Sequence, residues 1–160
     1  MVLVRLINHA CFSIERKDSL TLMDPWFFGR IFNKSWSLIR ETDLQSISGI
    51  EKLKNIVISH EHPDHLHWPT LKQIKENSSN DITVYMPYRN NDNVKAEVEK
   101  IGFNFEYLLP KVPFEIEEDF HITPFPTGHD AAIVFSVDDK VLLNQNDAYL
   151  TDSQCHDIKS

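Results

Sequence analysis

The sequence is poor in cysteine, in glycine and in positive charge. Only Cys11 and Cys155 occur among 160 residues, too few for a disulfide framework or a thiolate zinc site. Two spare thiols fit a reducing, cytoplasmic setting. Lys and Arg number 16 against 24 Asp and Glu, for a net charge of −8. The field of such a chain opposes phosphate backbones and gives no footprint for nonspecific nucleic-acid binding. Apolar runs all fall well short of the ~20 residues that a membrane-spanning helix needs, so no membrane segment is expected. The opening "MVLVRLINHACFSIERK" lacks a basic leader and a small-residue cleavage site, and it alternates apolar with polar residues as a strand does. Internal repeats, low-complexity tracts and linkers are missing as well. The length suits one domain, residues 1–160, with a real core.

What is present reads as alternating strands and helices. Extended segments Val2 to Glu15 and Ser19 to Asp24 flank the polar Arg16 to Asp18 and predict a hairpin. "DPWFFGRIFNKSW", punctuated by Pro25 and Gly29, breaks the pattern and predicts a loop or flap. "NIVIS", Asn55 to Ser59, has the character of a buried strand. In "PTLKQIKEN", Pro69 suits the first helical position and Leu71 and Ile74 share a face. "TVYMP" is a further strand, and "NVKAEVEKIG" predicts a helix with Val94, Val98 and Ile101 on one side and Gly102 as its stop. Beyond Phe103 come "FNFEYLL", "FEIEEDFHITPFP", "AAIVFSV" and "VLLNQN". The last two are joined by a tight hairpin at Asp138 to Lys140. This order implies an α/β protein of the α+β type.

Histidine is concentrated. Of eight in the chain, four fall between His60 and His67, in "VISHEHPDHLHWPTL". Residues two apart in an extended segment point the same way, so His60 and His62 can present two imidazoles to one ion. Asp64 and His65, past the Pro63 bend, can turn toward a second position. Such nitrogen and oxygen donors suit zinc, iron or manganese. A lone histidine is most often a surface or hydrogen-bonding residue, but four with an aspartate after a buried-type strand point to metal.

The spacing H-x-H-x-D-H between strand and helix resembles the first metal motif of the metallo-β-lactamase fold superfamily. "NHACFSIE", "DPWFFG" with "FNKSW", "ISHEHPDHLHWPTL" and "NQND" are similar to the metal-dependent domain of CMP-N-acetylneuraminate hydroxylases, and more loosely to the ascorbate-phosphate lactonase group. The resemblance implies an αββα sandwich holding two divalent ions, zinc first, with iron or manganese as alternatives. It places His60, His62 and His129, from "FPTGHDAA", on the first ion and Asp64 and His65 on the second, with Asp147, from "NQNDAYL", as the bridge. Asp64 and Asp24 would be the catalytic carboxylates, Asp24 by holding a histidine ligand or the bridging water. Metal coordination can bring the pKa of water from 15.7 to about 7. The implied activity is hydrolysis of an ester, lactone, amide or phosphoester by a metal-bound hydroxide. Two carboxylates and one hydroxide leave two dications at about +1, so a small anionic substrate is attracted despite the acidic chain. The alternatives are the metal domain of an iron-dependent oxygenase and an incomplete, noncatalytic metal-binding module. For an oxygenase, the two cysteines cannot supply a Rieske cluster, and the electrons must come from elsewhere.

Other residues have plainer readings. His9 is expected to be a strand histidine, with a place at the site mouth as the alternative. His67 is expected at the start of a helix, on the surface or supporting the site. The aromatics Trp26, Phe27, Phe28, Phe32 and Trp36 divide between core and substrate wall, and His121 and His156 are expected to face solvent. In one respect the chain departs from the superfamily, which brings a further histidine to the second ion tens of residues beyond the bridging acid. Here 13 residues follow Asp147. Truncation of a longer protein is the expectation, with a weakly held second ion or completion of the fold by another subunit as the alternatives. A half sandwich would leave an apolar sheet face uncovered, and a homodimer is the expected consequence.

Overall fold

The structure, a computed structural model, describes residues 1–90 and 92–159. Its larger sheet has six strands in the order β1 (Leu3–Asn8), β2 (Cys11–Glu15), β3 (Leu20–Met23), β6 (Leu53–Val57), β7 (Thr83–Pro87) and β8 (Asn104–Leu108). The first three run antiparallel, and β6, β7 and β8 continue parallel to β3. The missing numbers, β4 (Arg30–Ile31) and β5 (Trp36–Ser37), form a two-stranded flap, as the broken pattern of that stretch predicts.

Strand periodicity sorts the side chains into two layers. Leu20, Leu22, Ile56, Ile58, Val84 and Met86 face helices α1 (Trp68–Glu76) and α2 (Asn93–Ile101), against Leu71, Ile74, Val94 and Val98. Met23, Val57 and Tyr85 face the other way, onto Ile122, Ile133 and Phe135 of the second sheet. That sheet is antiparallel, ordered β12 (Lys140–Asn144), β11 (Asp130–Val137), β10 (Phe120–Thr127) and β9 (Phe114–Glu117). On its far side Phe125, Ala132 and Val134 pack with Ala148, Leu150 and Ile158, the last from α3 (Asp152–Lys159). The layers are therefore helix, sheet, sheet, helix. Full burial contributes roughly 1.5–3 kcal/mol per large apolar side chain.

Three differences from the sequence reading have local causes. The strand expected over Val2 to Glu15 is two, reversing at His9 and Ala10, where His9 adopts φ 38°. Alternation carries on through that turn and hides it. Likewise "FEIEEDFHITPFP" divides into β9 and β10 at Asp119, φ 57°. The third is α3, whose apolar side is too thin to read from the sequence. It lies over the outer face of the second sheet, while Val141 and Leu143 of β12 stay exposed.

The parallel pairing of β3 with β6 positions the site. Met23 lies opposite Val57, and Asp24 N–H donates to the Val57 carbonyl at 2.9 Å. Asp24 and Ser59 thus emerge side by side at the C-terminal ends of parallel strands, where α/β folds gather their ligands. From the second sheet, the start of β11 and the segment after β12 reach the same place.

Candidate metal centre

Asp24 is the hub. It is fully buried at φ 43°, a backbone conformation that aspartate adopts more readily than most residues. Its Oδ1 accepts from Ser59 N–H at 2.8 Å. Its Oδ2 meets Ser59 Oγ at 2.7 Å, His65 Nδ1 at 2.8 Å and Asn146 Nδ2 at 2.7 Å. Asn146 follows β12, so this bond ties the two sheets together. Ser59 Oγ in turn lies 2.9 Å from His60 Nδ1. One set of roles satisfies all of these contacts: Nδ1–H of His65 donates to Asp24, Nδ1–H of His60 to Ser59, and the serine hydroxyl to Asp24. Both histidines then present Nε2 outward, the arrangement in which a second layer orients metal ligands.

Three groups of donors converge there, each within 4.8 Å: His9, Asp64 and His65; His60, His65 and Asp147; His60, His62 and Asp130. That spread fits donors about 2 Å from a shared ion. Shared members make the groups neighbours, and Asp147 stands with one histidine from each side, as a bridge must. His65 Nε2 is 3.3 Å from Asp64 Oδ2 and 3.5 Å from Asp147 Oδ2, and His60 Nε2 is 3.3 Å from Asp130 Oδ1. Even so, Asp64 Oδ1, His65 Nε2 and Asp130 Oδ1 are buried with no hydrogen-bond partner. Native proteins pair nearly all such atoms. Asp64 and His65 belong to one donor group and Asp130 to another, so each orphan lies on a residue whose group fits a cation.

Charge points the same way. Burial is the largest influence on His65 and disfavours its imidazolium, yet the hydrogen bond to Asp24 and the close negative charges of Asp24 and Asp64 outweigh it and raise the ring to about 10. Burial pushes Asp64 up, but its ion-pair contact with His65 and its hydrogen bond with His9 outweigh that and hold it below the usual carboxylate range. His60 moves down, from burial and then the charge of His65. The carboxylates therefore demand positive charge in their midst, which a metal ion can supply in place of a proton.

The expected ligands His60, His62, Asp64, His65 and Asp147 are brought together. His129 is not: it is exposed on the turn between β10 and β11, with its carbonyl bonded to Arg89. Adjacent strand residues point to opposite faces, and it is Asp130 that reaches His60 and His62. Only the dipeptide "HD" signals this in the sequence, and it does not say which member turns inward. His67 is buried rather than on the surface, and its Nδ1 accepts from Thr70 N–H at 3.3 Å as the N-cap of α1. Burial lowers it to about 4, so it caps as the neutral ring. Trp26 and Phe27 are core, whereas Phe32 and Trp36 are exposed and stack edge-on, with Phe32 beside His62 and Trp36 beside His9. A cleft of about 1190 Å³ opens next to His9, lined by Asn8, Trp36, Thr42, Arg5 and Arg40 among others. His121 is half-buried and His156 exposed.

The model of the beta-lactamase superfamily domain matches residues 3–153. The chain belongs to that family. This beta-lactamase superfamily chain has the metallo-β-lactamase fold, shared with solved structures. It is 35% identical over 85 residues to the cytidine monophosphate-N-acetylneuraminic acid hydroxylase of Cricetulus griseus, a match covering 53% of this chain and 15% of the hydroxylase. The match thus spans under a sixth of that relative. CmlA, a diiron beta-hydroxylase from Streptomyces venezuelae, superposes with a TM-score of 0.68 at 14% identity, over 89% of this chain and 28% of CmlA. Igni18, a metallo hydrolase from Ignicoccus hospitalis, does so with a TM-score of 0.65 at 16% identity, over 95% and 63%. Identities this low speak to fold alone. The fold thus serves both hydrolases and a diiron hydroxylase.

Proposed function

We propose that the chain is the metal-binding core of a dinuclear hydrolase acting on an ester, lactone, amide or phosphoester, with zinc as the first candidate ion. The observation that carries this reading is the set of three donor groups linked through His60, His65 and Asp147, with Asp64 Oδ1, His65 Nε2 and Asp130 Oδ1 buried and without a hydrogen-bond partner among the described residues. His60, His62 and Asp130 would hold one ion, Asp64 and His65 the other, and Asp147 would bridge. When bound, the ions supply a hydroxide nucleophile near neutral pH and polarise a carbonyl or phosphoryl oxygen. The chain's own residues do the rest. Asp24 and Ser59 fix the ring orientations of His65 and His60. Asp64, ionised at neutral pH, orients water by accepting its hydrogen. The cleft beside His9 admits the substrate, and exposed Arg40 at its rim suits an anionic group. A net charge of −8 supports a small substrate over nucleic acid, and two free thiols support a cytoplasmic setting.

A second reading, the metal domain of an iron-dependent oxygenase, is favoured by one observation. Two imidazoles and a carboxylate, as in His60, His62 and Asp130, are the donor set of many non-haem iron oxygenases. Elemental analysis of the purified protein, with turnover of aryl esters and phosphodiesters, separates the readings. Two ions and hydrolysis that a chelator stops support the first. Iron without hydrolysis supports the second, and one loose ion without turnover reduces the chain to a binding module. His60→Ala should abolish tight binding at the first position; unchanged metal content would defeat the assignment.

A further inference from the structure

We infer that His9 is a direct ligand at the second metal position, completing the set begun by Asp64 and His65; the inference rests on the dinuclear reading above. His9 lies outside the H-x-H-x-D-H motif, on the turn between β1 and β2. Its φ of 38° belongs to a region that histidine enters more often than most residues. Asn8 steadies the turn by donating from Nδ2 to Thr42 Oγ1 at 2.6 Å. The imidazole is held edge-on against Trp26 and Trp36, at centroid distances of 5.5 and 6.4 Å, and lies 5.9 Å from the ring of His65.

So held, His9 Nε2 is 3.0 Å from Asp64 Oδ2 and within 4.8 Å of a donor atom on both Asp64 and His65. A histidine that merely propped Asp64 would leave His65 Nε2, which lies 3.3 Å from the same Asp64 Oδ2, buried and without a hydrogen-bond partner among the described residues. An ion shared by the three residues gives that nitrogen a partner, and native structures seldom leave such groups unpaired. Two imidazole nitrogens and a carboxylate leave coordination positions open for the bridge and for water, a set that zinc, iron and manganese all accept. The side chain of His9 is 34% exposed toward the cleft, so this position borders the path by which substrate would enter.

Cobalt(II) titration of the full chain, followed by visible absorption and calorimetry, tests the assignment. Wild type should take up two equivalents. His9→Asn, which suits the positive φ and is too short to reach the site, should bind the first equivalent unchanged and the second at least tenfold more weakly. His9→Gln, which restores a side-chain N–H near Asp64, should stay equally weak. Second-equivalent affinity at the wild-type level in either variant overturns the ligand role, and recovery in His9→Gln alone would reduce His9 to a hydrogen-bond partner. Should neither variant fold by circular dichroism, the cobalt-loaded wild type decides: His9 ring protons with contact-shifted resonances support ligation, and unshifted ones overturn it. A wild type that takes one equivalent only removes the dinuclear reading together with this role.

Discussion

Asp24 shows how much one side chain can organise. It accepts from Ser59 and His65 of the β6–α1 connection and from Asn146 after β12, and its own motif, a turn aspartate before Pro25, says nothing of that. Losing such a ligand-orienting partner costs 10–100-fold in metal affinity in comparable sites. Asp24→Asn should show a loss of that order in competition against a chromophoric chelator, with the fold retained, because asparagine tolerates the same φ. His67 makes a different prediction. Its folded pKa of about 4 lies below the ordinary 6.5. Its contribution is therefore complete above pH 6.5 and is lost as pH falls toward 4, because the unfolded chain takes the proton first. The shift corresponds to roughly 3 kcal/mol. Urea unfolding across that window should find His67→Asn, which caps without titrating, less acid-sensitive than wild type.

At the scale of elements, most boundaries follow from local rules. Helix α2 ends where Gly102 adopts φ 104° and donates to the carbonyls of Val98 and Glu99, as "EKIG" suggests. Any side chain there is strained, and a Cβ would also meet Lys75 Cε at 3.2 Å. Gly102→Ala should therefore lower stability by about 1 kcal/mol, seen as a lower urea midpoint with an unchanged m-value. Helix α1 starts where Pro69 suggests, but its cap is a histidine that the motif made a candidate for metal chemistry. The flap was legible only as a break in pattern. Its two-residue ladder is too short to carry any alternation, and what holds Trp36 beside His9 is contact between segments.

For the whole molecule, the two sheets are joined at the site by Asp24 with Asn146 and by Asp147 with His65, so metal binding should stabilise the fold. An ion at 100 times its Kd contributes about 2.7 kcal/mol, which for a chain of this size corresponds to a shift of roughly 5–11 °C. Adding a chelator should lower the midpoint of thermal unfolding by that order. Light scattering reads the expected homodimer: mass that rises with concentration supports it, and a constant monomer mass removes it. By itself the sequence determined most strands and the helices α1 and α2, since periodicities of 2 and 3.6 decide which residues face a core, whereas the outer helix α3 left no such pattern. The sequence also determined the local cluster from His60 to His65, because spacing within one segment is a matter of backbone geometry. Tertiary structure alone decided that Asp130 rather than His129 turns inward, that His9 joins Asp64, and that His67 caps a helix. Those outcomes depend on a turn's dihedral angles and on distances between strands remote along the chain, which no local pattern encodes.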